Sequence, residues 1–353
     1  MSEQKVYRAI GLMSGTSLDG EIDIALIETD GQNHVKPLGF YAHAYDPQHK
    51  ETIRACFGRN KRDETVEALV TDLHIEAVKA SGFEADIIGF HGQTVFHDPD
   101  AGVTLQLGDG ARMAAETGMN VVNDFRSADV AAGGQGAPLA PLYHQAIMSA
   151  QEQPLCVLNL GGVSNVTYID DGPIIAFDCG PANALMDDYM NETLGVDYDV
   201  DGAFASAGQA DIDVVTGFLA NDYFTKLPPK SLDRDTFASL IAALPSDPQD
   251  AMATLSACSV QGVVQSQQHF PQRPKAWYIC GGGLHNKHLM KQLSEALAPG
   301  VVQSIEQAGH NGDALEAECF AYLAVRSLLG LPISIPETTG VKEPLTGGVL
   351  HRA

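Results

Sequence analysis

Basic residues are scarce in this sequence. Its 353 residues include 21 Lys and Arg against 45 Asp and Glu, a formal charge of −24. A field of that sign repels phosphate backbones and anionic lipid surfaces, so neither nucleic acid nor a membrane is expected as a partner. No apolar run reaches the ~18 residues of a membrane-spanning helix. Residues 1–5 are polar and lack the charged and apolar regions of a signal peptide. A strand-like segment starts near Tyr7, which leaves no room for an added N-terminal module. The expected location is cytoplasmic.

Paired cysteines are missing too. The six cysteines, at positions 56, 156, 179, 258, 280 and 319, form no C-x-x-C pair, and several lie in apolar runs. They read as free, buried thiols of a reducing compartment, with no structural zinc. There is no G-x-x-x-x-G-K-S/T, which excludes a P-loop nucleotide site. There is no G-x-G-x-x-G after the first strand, so a Rossmann dinucleotide site is unsupported.

What the sequence does contain is a repeated pattern. Residues 7–12 form a short apolar strand, a small-residue turn follows around Ser14-Gly15-Thr16-Ser17, and residues 22–27 alternate as a second strand. The second half begins the same way, with a strand at 155–160, the turn Gly161-Gly162-Val163-Ser164, and a strand at 166–169. These are either two ordinary glycine hairpins or a weak internal duplication, two related domains each offering a loop to one ligand. Further strands are expected at 87–90, 103–107, 121–124, 174–177 and 275–280. Helices are expected near 63–80, 181–193, 250–268, 286–298 and 313–329. Alternation of this kind predicts an α/β protein, and the length suits two domains. The stretch 227–235 is the least regular and reads as a mobile loop.

A third glycine turn, Gly281-Gly282-Gly283, also follows an apolar strand. Backbone N–H groups in such turns can hold phosphate without water, because small residues let the main chain approach closely. Three turns of this kind resemble the two phosphate loops and the adenosine loop of the actin, Hsp70 and sugar-kinase superfamily. That resemblance implies a two-domain actin-like ATPase (ribonuclease H-like) fold with ATP and sugar in the interdomain cleft. Asp19 or Asp23 would organise Mg²⁺ through water; alternatively Asp19 is only a turn former.

Asp178 closes the apolar run 174–177 and precedes Pro181. A carboxylate at a strand's carboxyl edge stands where open α/β sheets bind ligands. The other reading is an N-cap of the following helix.

Several runs resemble the anhydro-N-acetylmuramic acid kinase family. They are residues 11–20, 89–94, 106–108, 122–126, 129–139, 159–165, 177–181 and 280–283, spread in order over nearly the whole chain. The resemblance implies an ATP-dependent enzyme that opens 1,6-anhydro-N-acetylmuramic acid with water and phosphorylates O6, giving N-acetylmuramic acid 6-phosphate in peptidoglycan recycling. It implies Asp178 as the catalytic residue. The nucleotide would be held by Gly15, Thr16, Ser17, Leu18, Asp19, Gly20, Glu21, Ile22 and Asp23, by Gly161 and Gly162, and by Gly281, Gly282 and Gly283. His91, Gln93, Asp124, Arg126 and Glu316 would contact the sugar, with His97, Asp199 and Asp201 as weaker candidates. The expected division is 1–128, 129–312 carrying the second phosphate loop, Asp178 and the adenosine loop, and 313–353 returning to the first domain. The partners implied are ATP, Mg²⁺ and a small sugar, and a homodimer is compatible. Two departures stand out. Gly20-Glu21-Ile22-Asp23 carries one residue more than the usual spacing, which puts the role of Asp23 in doubt, and Ala182 stands where glycine is usual. The alternatives are a kinase for a related sugar such as levoglucosan, or a non-catalytic actin-like ATPase or sugar sensor.

Overall fold

The computed structural model describes residues 5–15, 18, 20–232 and 236–353. Among them the strands are, in order, Tyr7–Met13 (β1), Glu21–Thr29 (β2), Val35–Ala44 (β3), Ile87–Phe90 (β4), Gln93–Asp98 (β5), Val103–Leu107 (β6), Asn120–Asn123 (β7), Leu155–Leu160 (β8), Val163–Ile169 (β9), Ile175–Pro181 (β10), Ala276–Cys280 (β11), Val301–Ser304 (β12) and Val349–His351 (β13). The chain divides into two compact units, Met1–Ala150 with Asp313–Ala353, and Gln151–Gly312.

In the first unit the sheet runs β13-β7-β4-β1-β2-β3. β1, β2 and β3 form an antiparallel meander, while β4 and β7 run parallel to β1. Alternation along the strands divides the two faces. Ile10, Leu12, Ile88 and Phe90 share one core with Val66, Val70, Leu73 and Val78 of the Glu64–Ser81 helix. The intervening Gly11 and Gly89 face the Leu315–Leu328 helix. A Cβ on Gly11 would stand 1.7 Å from the Ala317 carbonyl oxygen, and one on Gly89 would stand 2.0 Å from that of Phe320. Only glycine permits so close an approach.

The second unit repeats the scheme. Its sheet runs β10-β9-β8-β11-β12, with β8, β9 and β10 antiparallel and β11 and β12 parallel to β8. Numbering only the strands of each sheet in chain order, the second reads 3-2-1-4-5 and the first 3-2-1-4-5-6; the five shared strands have the same senses, and β13 is an added antiparallel edge strand. The paired glycine hairpins of the sequence are therefore the first turn of each copy, and the duplicated ribonuclease H-like architecture is the one expected. The core here gathers Leu158, Leu160, Val166, Tyr168, Phe177 and Trp277 under the Pro248–Ser266 helix. That helix is N-capped by Asp247, which accepts from the N–H groups of Gln249 and Asp250.

Some expectations need correction. The boundary placed at 128 falls at 150. Residues 129–150 belong to the first unit because Asp129 accepts from Thr339 Oγ1 at 2.6 Å, and Tyr143 donates from its hydroxyl to the buried Glu318. The helix expected at 181 begins at Asn183, since Pro181 still pairs with Val163 in the β9–β10 ladder. Of the stretch 227–235, the described residues Lys230 and Leu232 bond Asp178, the first through its carbonyl oxygen and the second through its N–H. β3 was not foreseen, because its mostly exposed residues include Pro37 and show no alternation. All six cysteines are free and buried, as expected. No described helix is long and apolar enough to cross a membrane.

Candidate active site

In the second unit the glycine turns and Asp178 lie at one end of the sheet. β8 and β11 are parallel and both deliver their carboxyl ends there, and the Gly161-Gly162 turn closes β8 onto β9. Asn183 joins the two turns. Its N–H donates to Gly161 O at 3.0 Å and its Nδ2 to Leu160 O at 2.9 Å. A Cβ on Gly282 would lie 3.6 Å from the same Nδ2. Gly162 O also accepts from the N–H groups of Ala182 and Ala184, at 3.1 and 3.2 Å. The first amides of the Asn183–Leu194 helix are thus spent on turn carbonyls. Gly281 has φ +79°, and a Cβ there would strike Asn159 Oδ1 at 2.2 Å, so this turn requires glycine. Ala182, with φ −129° and ψ −116°, is buried between β10 and the helix that begins at Asn183.

Asp178 is a strand residue, not a helix cap, because the helix begins five positions later without a side-chain cap. Its backbone is held on both sides. Asp178 N–H donates to Lys230 O at 3.1 Å, and the Tyr223 hydroxyl donates to Asp178 O at 2.6 Å. Its carboxylate Oδ2 accepts from the Leu232 N–H at 2.7 Å. Burial pushes its pKa up to about 7, and the Leu232 N–H pulls it partly back. The Lys230 ammonium does not neutralise it. That group donates to Tyr223 O at 3.0 Å and Phe224 O at 3.5 Å, and lies 4.7 Å above the Tyr223 ring. A carboxylate poised near neutrality is what a general base needs. Tyr223, Lys230 and Leu232 had no signal in the sequence, as they lie 45 or more positions from Asp178.

In the first unit, Leu18 has φ +48° and its N–H donates to Gly15 O at 3.2 Å. Thr16, Ser17 and Asp19 lie outside the described residues. Gly20, at φ +100°, has open space around it. Glu21 is exposed at the start of β2, Ile22 points into the core, and Asp23 pairs with Met13 in the β1–β2 ladder. Gln93 braces this loop, its Nε2 donating to Gly15 O at 3.3 Å.

The remaining candidates in this unit converge around Arg126. His91 donates from Nδ1 to Gly92 O at 2.7 Å, and its Nε2 accepts from Arg126 Nε at 3.1 Å. Burial first, and then the Arg126 charge, hold its pKa well below the ordinary value, so the ring is neutral. Arg126 also donates to Gly136 O at 2.7 Å. Asp129 shapes that loop by accepting from the Gly136 N–H at 2.6 Å. Burial lowers the Arg126 pKa, and Glu316 is the strongest charge opposing that shift. Asp124, at φ +53°, accepts from the Ser127 hydroxyl. A cavity of about 370 Å³ is lined by His91, Asp124, Asn123, Gln106, Glu67 and His351, among others, a size suited to a small molecule.

The weaker candidates are otherwise occupied. Asp199 accepts from the N–H groups of Phe204 and Ala205, each at 2.9 Å, as a buried turn carboxylate. Asp201 pairs with exposed Lys287 at 2.8 Å. His97 is exposed and bonds Thr104 Oγ1 at 2.9 Å. No group of three or more metal-binding side chains occurs among the described residues.

The model of the anhydro-N-acetylmuramic acid kinase family matches residues 7–353. The chain is 50% identical over 364 residues to a protein of that name from Rhizorhabdus wittichii, with 98% of each chain covered. It is 48% identical to the Zymomonas mobilis protein of that name, over 97% of this chain and 99% of the other. The Paramagnetospirillum magneticum protein of that name is 47% identical, over the same shares.

Proposed function

This chain belongs to the anhydro-N-acetylmuramic acid kinase family, and from that membership we propose that Asp178 activates the water with which the enzyme opens its anhydro sugar. The enzyme is an ATP-dependent kinase. It hydrolyses the 1,6-anhydro bond of 1,6-anhydro-N-acetylmuramic acid and phosphorylates O6, releasing N-acetylmuramic acid 6-phosphate and ADP. The product belongs to peptidoglycan recycling, and we assign the reaction to the cytoplasm.

The observation that carries the reading is the environment of Asp178. Its carboxylate is partly withdrawn from solvent and bonded to one backbone N–H, and that desolvation raises its pKa to about 7. Most glycosidases use two carboxyl groups, the second protonating the leaving oxygen. A kinase that transfers the γ-phosphoryl group onto that oxygen needs only the base. Asp178 takes a proton from water as its oxygen bonds C1, the C1–O6 bond breaks, and O6 takes the phosphoryl group.

Gly161, Gly162 and Gly281–Gly283 are assigned to the nucleotide, together with the loop from Gly15 to Asp23, to which Gln93 is bonded. His91 holds Arg126, and Arg126, Asp124 and Glu316 are assigned to the sugar. Asp23, the described member of the two proposed metal carboxylates, suits a Mg²⁺ ion held largely by water and nucleotide phosphates. When bound, such an ion would neutralise charge on the transferring phosphoryl group. A homodimer is compatible with this chemistry and not required by it.

The test is the reaction of ATP with the anhydro sugar in ¹⁸O-labelled water, followed by mass analysis. Label is expected at C1. An unlabelled C1 with phosphate on O6 would mean that Asp178 acts on something other than water.

A further inference from the structure

Three polar side chains form a row across the second unit's sheet. Asn159 on β8 is the register partner of Asn165 on β9, and Asn165 is the partner of Asp178 on β10. Residues directly opposite in a ladder project from the same face. Their chain neighbours Leu158, Leu160, Val166, Phe177 and Cys179 all turn the other way, into the apolar core. One row deeper on the polar face, Val157, Thr167 and Ala176 are closed to solvent. The row 159–165–178 is partly exposed and wholly polar.

Neither the Asn159 nor the Asn165 side-chain amide has a partner among the described residues. Asparagines with a folding role ordinarily bond nearby backbone groups, as Asn183 does. Asn159 lies under the Gly281 turn, and Asn165 stands between it and the proposed base. Opposed side chains on a ladder have Cβ atoms about 5 Å apart, a spacing that a water bonded to both the Asn165 amide and the Asp178 carboxylate would bridge. The Leu232 N–H occupies Oδ2 of Asp178, which leaves Oδ1 for that water.

We propose that Asn165 is a second catalytic residue, holding the nucleophilic water against Asp178. The proposal rests on the reading of Asp178 as the base. One water O–H bond breaks and its proton passes to the Asp178 carboxylate. The Asn165 Oδ1 accepts the other O–H, which turns an oxygen lone pair toward C1. The new C1–O bond forms as C1–O6 breaks, and O6 takes the phosphoryl group that ADP leaves. Asn165 stays neutral throughout.

The experiment compares Asn165→Ala, Asn165→Asp and Asp178→Asn in steady-state turnover of the anhydro sugar with ATP, over a range of pH. Asn165→Ala is expected to lower kcat about a hundredfold, in the range of one general-base contact, with both KM values within about threefold of the parent. Asn165→Asp keeps the shape and sets a second carboxylate opposite the base. Like charges at this spacing raise the pKa, so the acid limb should move up by about one pH unit or more. A kcat within threefold of the parent for Asn165→Ala, or an unmoved limb for Asn165→Asp, overturns the proposal. If Asp178→Asn stays active, the base reading itself fails. If Asp178→Asn is inactive while Asn165→Ala is fully active, only the role of Asn165 fails.

Discussion

Arg126 donates from Nε to Nε2 of His91 across 3.1 Å, and this bond fixes the imidazole as its neutral Nδ1–H tautomer. A ring so held cannot serve as an acid or base near neutral pH. His91→Ala should therefore raise the KM for sugar without removing any limb from the pH profile between 5.5 and 9. A double-mutant cycle with Arg126→Lys should show coupling of about 1 kcal/mol or more, since contacting residues do not act additively. Additive effects on KM would mean that His91 touches the sugar independently.

Asp178 predicts both a pH dependence and a stability trade-off. As a base with a pKa of about 7, it should give a kcat that rises through pH 7 and levels above pH 8. Its pKa in the folded protein is raised above the unfolded value. The folded state therefore favours the protonated form, and stability is lost as pH rises through 7. Asp178→Asn should abolish turnover yet unfold at higher denaturant at pH 8, by about 2–4 kcal/mol, with the gain gone near pH 4. Leu232→Pro removes the N–H that pulls this pKa down, so in that variant the acid limb should move upward.

Gly11→Ala and Gly89→Ala each drive a methyl group into a carbonyl of the Leu315–Leu328 helix. Each should cost about 3 kcal/mol or more, measured by urea denaturation, because backbone cannot yield as a flexible side chain can. Gly20→Ala, with open space around it, should cost far less than either, its only strain being φ +100°.

His74 predicts a loss of stability in acid. It is buried against Phe90, with Nδ1 bonded to Val70 O at 2.7 Å, and burial lowers its pKa to about 4. The unfolded chain thus binds a proton there more readily than the folded one. Stability should be intact above pH 6.5 and fall as pH drops toward 4, by up to about 3 kcal/mol. Unfolding curves for the parent and His74→Gln at pH 7 and pH 4.5 would show it, the variant losing less across that interval.

What could be read in the sequence was local. Each glycine turn follows its strand within a few residues, so the paired hairpins could be seen in the sequence, with duplication as one of two readings of them. Asp178 was visible because an apolar run ends on it. Pro181 misled, since a proline before a helical pattern imitates a helix start, whereas here the strand bulges after Asp178 and continues through it. The groups that set the chemistry of Asp178 could not be read at all. The hydroxyl of Tyr223, the carbonyl of Lys230 and the N–H of Leu232 reach it only through folding, and two of the three are backbone atoms, which no residue type announces. Asp129 was similarly obscured. Its motif was visible, but not that its carboxylate ties Gly136 to Thr339, 210 positions away.

The first unit is assembled from both ends of the chain, and this fixes an order of events during synthesis. Residues 151–312 are contiguous, so the second unit has all its strands as soon as β12 has left the ribosome. The first unit begins earlier and finishes later. Until the Leu315–Leu328 helix emerges, the sheet face bearing Gly11 and Gly89 has no cover, and β7 has no β13 beside it. A nascent chain halted before residue 313 therefore carries one finished unit and one open sheet, and the open sheet is the surface on which chaperone binding or aggregation would fall.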